Sequence, residues 1–130
     1  MLFRSQGQKP EAGALPKNLN PILDFARASP DIIEPAQAQE LVQQKGVTFL
    51  DVRSLEEFNG GHANGSLNMP IAGIVGGYAA FPDDKTAPIV AICQSGERSL
   101  HAMLLFKAMG YTNVKNVKGG IVAWTAAGLL

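Results

Sequence analysis

The stretch "PIVAICQSGERSLHAMLLFKAMG", residues 88–110, decides how the chain is organised. Its opening, Pro88 to Ile92, is a short continuous apolar run, the pattern of a strand covered on both faces. Its close, Ser99 to Met109, is apolar almost all round through Leu100, Met103, Leu104, Leu105, Phe106 and Met109, and Gly110 ends it. That composition predicts a buried central helix. Between the two, Cys93 is followed by Gln94, Ser95, Gly96, Glu97 and Arg98, a polar loop containing a glycine. Cys93 thus stands at the carboxyl end of a strand, where open α/β sheets gather their functional loops.

Working outward, "VKNV" (114–117) provides a further short strand and Ile121 to Ala127 a last helix closed by Gly128. Upstream, "VTFLDV" (47–52) is β-branched and apolar and reads as a strand. Ser54 followed by Glu57 matches a capping box, so Ser54 to Asn59 is expected to be a short helix, stopped by Gly60 and Gly61. "SLNMP" (66–70) is a small strand cut off by Pro70. Residues 71–85 carry Gly73, Gly76, Gly77 and Pro82, which predicts an irregular connection with at most a turn of helix. "DIIEP" (31–35) is a short extended piece, and Pro35 opens a helix running to about Lys45, closed by Gly46. Strands alternating with helices predict an α/β fold: a central, mostly parallel β-sheet with helices on both faces.

The 130 residues fit a single domain over residues 31–130 with an N-terminal arm over residues 1–30. Pro10, Pro16, Pro21 and Pro30 punctuate the arm, although Asn20 capping Pro21 starts a short helix through Ser29. A loosely packed extension is the expectation; docking of Ile22, Leu23 and Phe25 on the domain or a partner is the alternative.

Eleven basic and eleven acidic residues cancel, and no segment gathers Lys and Arg into a stripe, so no footprint for nucleic acid exists. No run is long enough to span a bilayer, and "MLFRSQGQKPEAGALPKNLN" lacks the apolar core of a signal peptide. A cytoplasmic location is expected, although a chain whose export signal had been cut away would read the same. One cysteine makes no internal disulfide and no pair of thiolates, which disfavours metal and dithiol chemistry.

A lone cysteine is ordinarily a buried small hydrophobe. Position argues otherwise for Cys93. At a helix N-terminus, unpaired backbone N–H groups and the positive end of the macrodipole favour an anion, and a short glycine-bearing loop turns further N–H groups inward. Such a setting is expected to stabilise a thiolate and to make it a nucleophile at neutral pH.

Three segments together resemble the rhodanese-domain sulfurtransferases. "CQSGERS" is similar to their active-site loop. "FLDVRSLEEFNGGHANGSLNMP" is similar to the segment with an Asp-Val-Arg strand end, an acidic-aromatic pair, Gly-His and Asn-x-Pro. "GYTNVKNVKGGIVAW" is similar to their closing strand, double glycine and tryptophan. The resemblance runs from about residue 32 to the end. Ala63-Asn64 stands where Ile-Pro is common in the family, and the glycine-rich stretch 73–81 replaces a more helical connection.

The resemblance implies a rhodanese-like fold and a sulfurtransferase with Cys93 as the catalytic nucleophile. Cys93 takes the outer sulfur of a donor such as thiosulfate, becomes a persulfide, and passes the sulfur to cyanide, a small thiol or a protein thiol, with neither metal nor organic cofactor. The substrate loop is then Gln94, Ser95, Gly96, Glu97, Arg98 and Ser99, whose backbone N–H groups hold the charged sulfur. Gly96 allows the tight turn.

Side-chain roles stay open in the sequence. Arg98 either adds positive charge beside the donor or braces the loop by pairing with Asp51 or Glu57. Arg53 poses the same choice, with a structural ion pair favoured. Gln94 and Glu97 face the acceptor or solvent. His62, after two glycines, reads as a hydrogen-bonded structural residue supporting the loop, His101 as a surface or satisfied histidine, and Trp124 as core.

Two rivals remain. A Cys-based phosphatase or arsenate reductase also sets a thiolate ahead of a helix, but its signature has one residue more between Cys and Arg than the four between Cys93 and Arg98. A rhodanese-like module that only binds partners or carries sulfur is the other.

Overall fold

The structure is a computed structural model and describes residues 20–77 and 81–130; the expectations for residues 1–19 and 78–80 lie outside them. Along the described residues run α1 (Asn20–Arg27), β1 (Ile32–Ile33), α2 (Pro35–Val42), β2 (Thr48–Asp51), α3 (Leu55–Asn59) and β3 (Leu67–Asn68). They continue through α4 (Ile71–Gly76), β4 (Ile89–Ile92), α5 (Glu97–Ala108), β5 (Val114–Val117) and α6 (Gly120–Ala126). The strands form one sheet in the order β1-β5-β4-β2-β3, every pairing parallel.

The central strand explains the two-faced design. All four residues of β4 are fully buried, and their side chains alternate between the faces of the sheet. Ile89, Ala91 and Cys93 join Leu50 and Val52 under α1, α4 and α5, against Leu23, Ile74, Leu100, Met103 and Phe106. Val90 and Ile92 join Phe49 and Val117 on the other face, against Ala38 of α2 and Ile121 and Trp124 of α6. Trp124 is core as expected, its ring tilted against Phe49 at 5.6 Å. Asp51 pairs with Ile92 across β2 and β4, so the chain leaves both strands side by side at one sheet edge.

The capping box at Ser54 forms: its side chain accepts from the Glu57 N–H, and Glu57 reaches back to Ser54. Pro35 does open α2, which ends at Val42 rather than near Lys45.

Three expectations are corrected. Residues 71–76 form a helix rather than an irregular connection, because Ile71 and Ile74 bury one side and Gly77, at φ 74°, supplies the left-handed stop. The central helix starts at Glu97, two residues before Ser99, since Gly96 at φ 99° makes the whole turn by itself. The helix of the arm is not a loosely packed extension: Leu23 and Ala26 are buried against the domain, while Ile22 and Phe25 remain exposed.

Candidate active site

The carboxyl end of β4 carries Cys93, and the chain folds back over it within three residues. The Gly96 N–H donates to Cys93 Sγ at 3.1 Å, and the Ser99 hydroxyl oxygen lies 3.3 Å from the same sulfur. Ser99, in the first turn of α5, is fully buried. The Gly96 N–H, together with the amino end of a twelve-residue helix, gives the sulfur a polar setting oriented for negative charge.

Cys93 itself is only 1% exposed. The sequence placed it outside a core environment, and here the structure corrects it. The side chain continues the Ile89 and Ala91 row of the core, and the loop closes over it. The two loop residues that follow it, Gln94 and Ser95, are exposed.

A second turn fixes the loop from behind. The Ile121 N–H donates to the Cys93 carbonyl at 2.8 Å and the Val122 N–H to the Gln94 carbonyl at 3.2 Å. The first amides of α6 are thereby satisfied by the loop. This approach needs Gly119 and Gly120, at φ 73° and 58°. A β-carbon on Gly120 would stand 2.3 Å from the Cys93 carbonyl oxygen.

The side chains around the loop brace it. Asp51 and Arg53 are buried and paired, with Arg53 Nη2 on Asp51 Oδ2 at 2.8 Å. Arg53 Nη2 also donates to the Gly61 carbonyl at 2.8 Å and Nη1 to Gln94 Oε1 at 3.2 Å. Thus Arg53 is the structural ion pair that the sequence favoured, and it anchors the loop as well. Arg98 lays both terminal nitrogens on Glu57, each at 2.8 Å from a separate carboxylate oxygen. This fork makes Arg98 a brace between the loop and α3.

The pair shifts both partners. Hydrogen bonding from Arg98, aided by Ser54, lowers the Glu57 carboxyl to about 2. Hydrogen bonding to Glu57 raises Arg98, partly offset by burial, with smaller electrostatic support from Glu57, Cys93 and Asp51.

Glu97 is tied to the arm. Arg27 Nη2 donates to its Oε1 at 2.7 Å and Nε to the same oxygen at 3.1 Å. A cleft of about 240 Å³ beside this pair is lined by Arg27, Ile32, Ser95, Gly96, Asn116 and Gly119 among others, and Cys93 is not in its lining. His62 does not join the loop: its Nδ1 meets the Phe58 carbonyl at 2.9 Å and its ring stacks on Phe58 at 3.7 Å. His101 is buried and has a partner, the satisfied rather than the surface histidine of the two alternatives.

One residue escaped the sequence reading. Asn116 is buried at the end of β5, its Oδ1 2.5 Å from Ser99 Oγ and its Nδ2 donating to the Gly96 carbonyl at 3.1 Å. The signal was a polar residue on the inward parity of an apolar strand, alternating with Val114.

Among the described residues, no group of three or more His, Cys, Asp and Glu side chains is placed to hold a metal ion, and no helix is long and apolar enough to cross a membrane.

Comparison with known proteins adds the wider setting. The family model described as "Rhodanese-like domain" matches residues 34–127. "Thiosulfate sulfurtransferase 16, chloroplastic" of Arabidopsis thaliana is 37% identical over 94 residues, covering 65% of this chain and 78% of that protein. A protein named "Sulfurtransferase" from Allochromatium vinosum is 31% identical, covering 76% and 91%. A solved structure from Rhodopseudomonas palustris, described as of unknown function and a "Possible Tyrosine Phosphatase", superposes with a TM-score of 0.76 at 25% identity, covering 95% of this chain and 98% of that one. Several other curated relatives are longer, and the chain spans 53% to 66% of their length.

Proposed function

The chain belongs to the rhodanese-like domain family, and from that premise we propose that it is a sulfurtransferase whose Cys93 carries the sulfur. The observation that carries this reading is the sulfur's setting: Cys93 Sγ at a strand end, with the Gly96 N–H at 3.1 Å and the Ser99 hydroxyl at 3.3 Å. The Gly96 N–H is a preoriented donor of the kind that stabilises an anion without reorganising when it forms.

In the loading step the Cys93 thiolate attacks the sulfane sulfur of a donor such as thiosulfate. A Cys93–sulfur bond forms, the donor's sulfur–sulfur bond breaks, and sulfite leaves with the electron pair. The outer sulfur of the persulfide is then attacked by cyanide or by a small or protein thiol, and Cys93 departs as thiolate. Arg98 lends positive charge near the donor while it braces the loop, and Arg53 keeps Gln94 in place. Neither step calls for a metal or an organic cofactor.

A phosphatase is the second reading, favoured by the name of the Rhodopseudomonas palustris protein. The loop speaks against it. Only four residues separate Cys93 from Arg98, and the Arg98 fork is engaged by Glu57 rather than free to clasp a phosphate.

Thiocyanate formation from thiosulfate and cyanide tests the proposal. Parallel lines in double-reciprocal plots and complete loss of turnover in Cys93→Ser are expected. Hydrolysis of an aryl phosphate without thiocyanate formation would replace the sulfurtransferase by the phosphatase, and inactivity in both assays by a binding module.

A further inference from the structure

A serine hydroxyl has one hydrogen, and Ser99 has two neighbours that compete for it. Its oxygen lies 2.5 Å from Asn116 Oδ1 and 3.3 Å from Cys93 Sγ. Two oxygens at 2.5 Å require a hydrogen between them. The amide cannot supply it, because Asn116 Nδ2 donates at 3.1 Å to the Gly96 carbonyl, which only accepts. Turning the amide over would set two acceptors against each other at that point. The hydrogen on the line is therefore that of Ser99, and in the resting protein the Ser99 oxygen turns a lone pair toward the sulfur.

We infer that Asn116 is a positioning residue that controls the protonation of Cys93. It commits the Ser99 hydrogen, so the resting sulfur keeps its own proton as a donor to Ser99. The thiolate gains the Ser99 hydrogen bond only when the Ser99 to Asn116 bond is given up. All three side chains are almost fully buried, so water does not stand in for the missing hydrogen. The inference rests on Cys93 being the reacting sulfur of the function proposed above, and it adds that the site holds this sulfur in reserve.

The charged groups near the sulfur do not explain the effect away. Glu97, Arg98 and His101 come from α5, with Glu57 behind Arg98. Asp51 and Arg53 lie at the end of β2, Lys115 and Lys118 along β5 and its end, and Asp24 and Arg27 on α1, with Arg27 paired to Glu97, while α4 and α6 bring none. Replacing Asn116 by leucine, close to it in shape, changes none of them.

The test is the ultraviolet absorbance of the thiolate as a function of pH, with Cys93→Ser as the blank. It needs no sulfur donor, so it can fail or succeed independently of the transferase assay. In Asn116→Leu the thiolate fraction at a given pH in the rising part of the curve should increase about tenfold, the worth of one hydrogen bond to a charged group. The same substitution made in Ser99→Ala should move nothing. Should the leucine variant not fold, Asn116→Asp keeps the shape and holds the Ser99 hydrogen more firmly, and it should depress the thiolate fraction in wild type more than in Ser99→Ala. An Asn116→Leu curve that coincides with wild type or moves to higher pH would overturn the inference, as would equal shifts with and without Ser99.

Discussion

Gly120 passes so close behind Cys93 that a β-carbon on it would lie 2.3 Å from the cysteine's carbonyl oxygen and 2.7 Å from the Gln94 carbonyl carbon. Both atoms are backbone and cannot yield as a flexible side chain would. Gly120→Ala should therefore destabilise the protein by roughly 2–4 kcal/mol, from overpacking combined with a positive φ, and cost sulfur transfer as the loop is displaced. Urea unfolding and turnover measured side by side check this, with Gly46→Ala, which meets nothing within 4 Å, as the control for strain alone.

Removing Arg53 should be among the most damaging single changes. Arg53→Met leaves the buried Asp51 carboxylate uncompensated, a loss of about 3–5 kcal/mol. The pair Asp51→Asn with Arg53→Met should recover a large part of that stability yet not the activity, since the bond from Arg53 to Gln94 stays broken. Denaturation midpoints of the three variants decide it.

The Glu57 and Arg98 fork predicts a pH window. The Glu57 carboxyl is lowered from 4.5 to about 2 in the folded chain, so the folded form binds its proton less readily than the unfolded form. The resulting stability is complete above pH 4.5 and is lost as the pH falls from 4.5 to about 2. Unfolding followed across that window should show a steeper decline for wild type than for Glu57→Gln. Both side chains are about one third exposed, so the difference at neutral pH should stay near or below about 1 kcal/mol.

The arm's helix should separate into a packing part and a charge part. Leu23→Ala removes a side chain that is 4% exposed and should cost about 2–4 kcal/mol. Arg27→Ala breaks an exposed ion pair with Glu97 and should cost no more than about 1 kcal/mol, diminishing with salt. Thermal melting at low and high ionic strength distinguishes them.

Much of this architecture was legible because local chemistry and tertiary packing agree. The apolar run at Ile89 to Ile92 reads as a covered strand because it is short, β-branched and preceded by Pro88, and Ser54 with Glu57 closes a local capping box. The stretch after Pro70 was misjudged because its glycines weaken a helix locally, whereas burial of Ile71 and Ile74 outweighs that cost. The same holds for the arm: four prolines describe the backbone, but only the packed domain offers Leu23 a place. At the site, the strand-to-helix loop and the ion pair of Arg53 could be read from residue type and spacing, whereas the partner of Arg98 was left open between Asp51 and Glu57. Asn116 showed only as a polar residue on the inward side of β5; its role could not be read, because its partners Ser99 and Gly96 come from a distant segment.

The central claim is that Cys93 holds a transferable sulfur, and mass spectrometry of the intact protein after incubation with thiosulfate tests it most directly. The account predicts a species one sulfur atom heavier that forms with Cys93 intact, disappears on addition of cyanide, and never forms in Cys93→Ser. A wild-type mass left unchanged by thiosulfate, or an added sulfur that persists in Cys93→Ser, would contradict it.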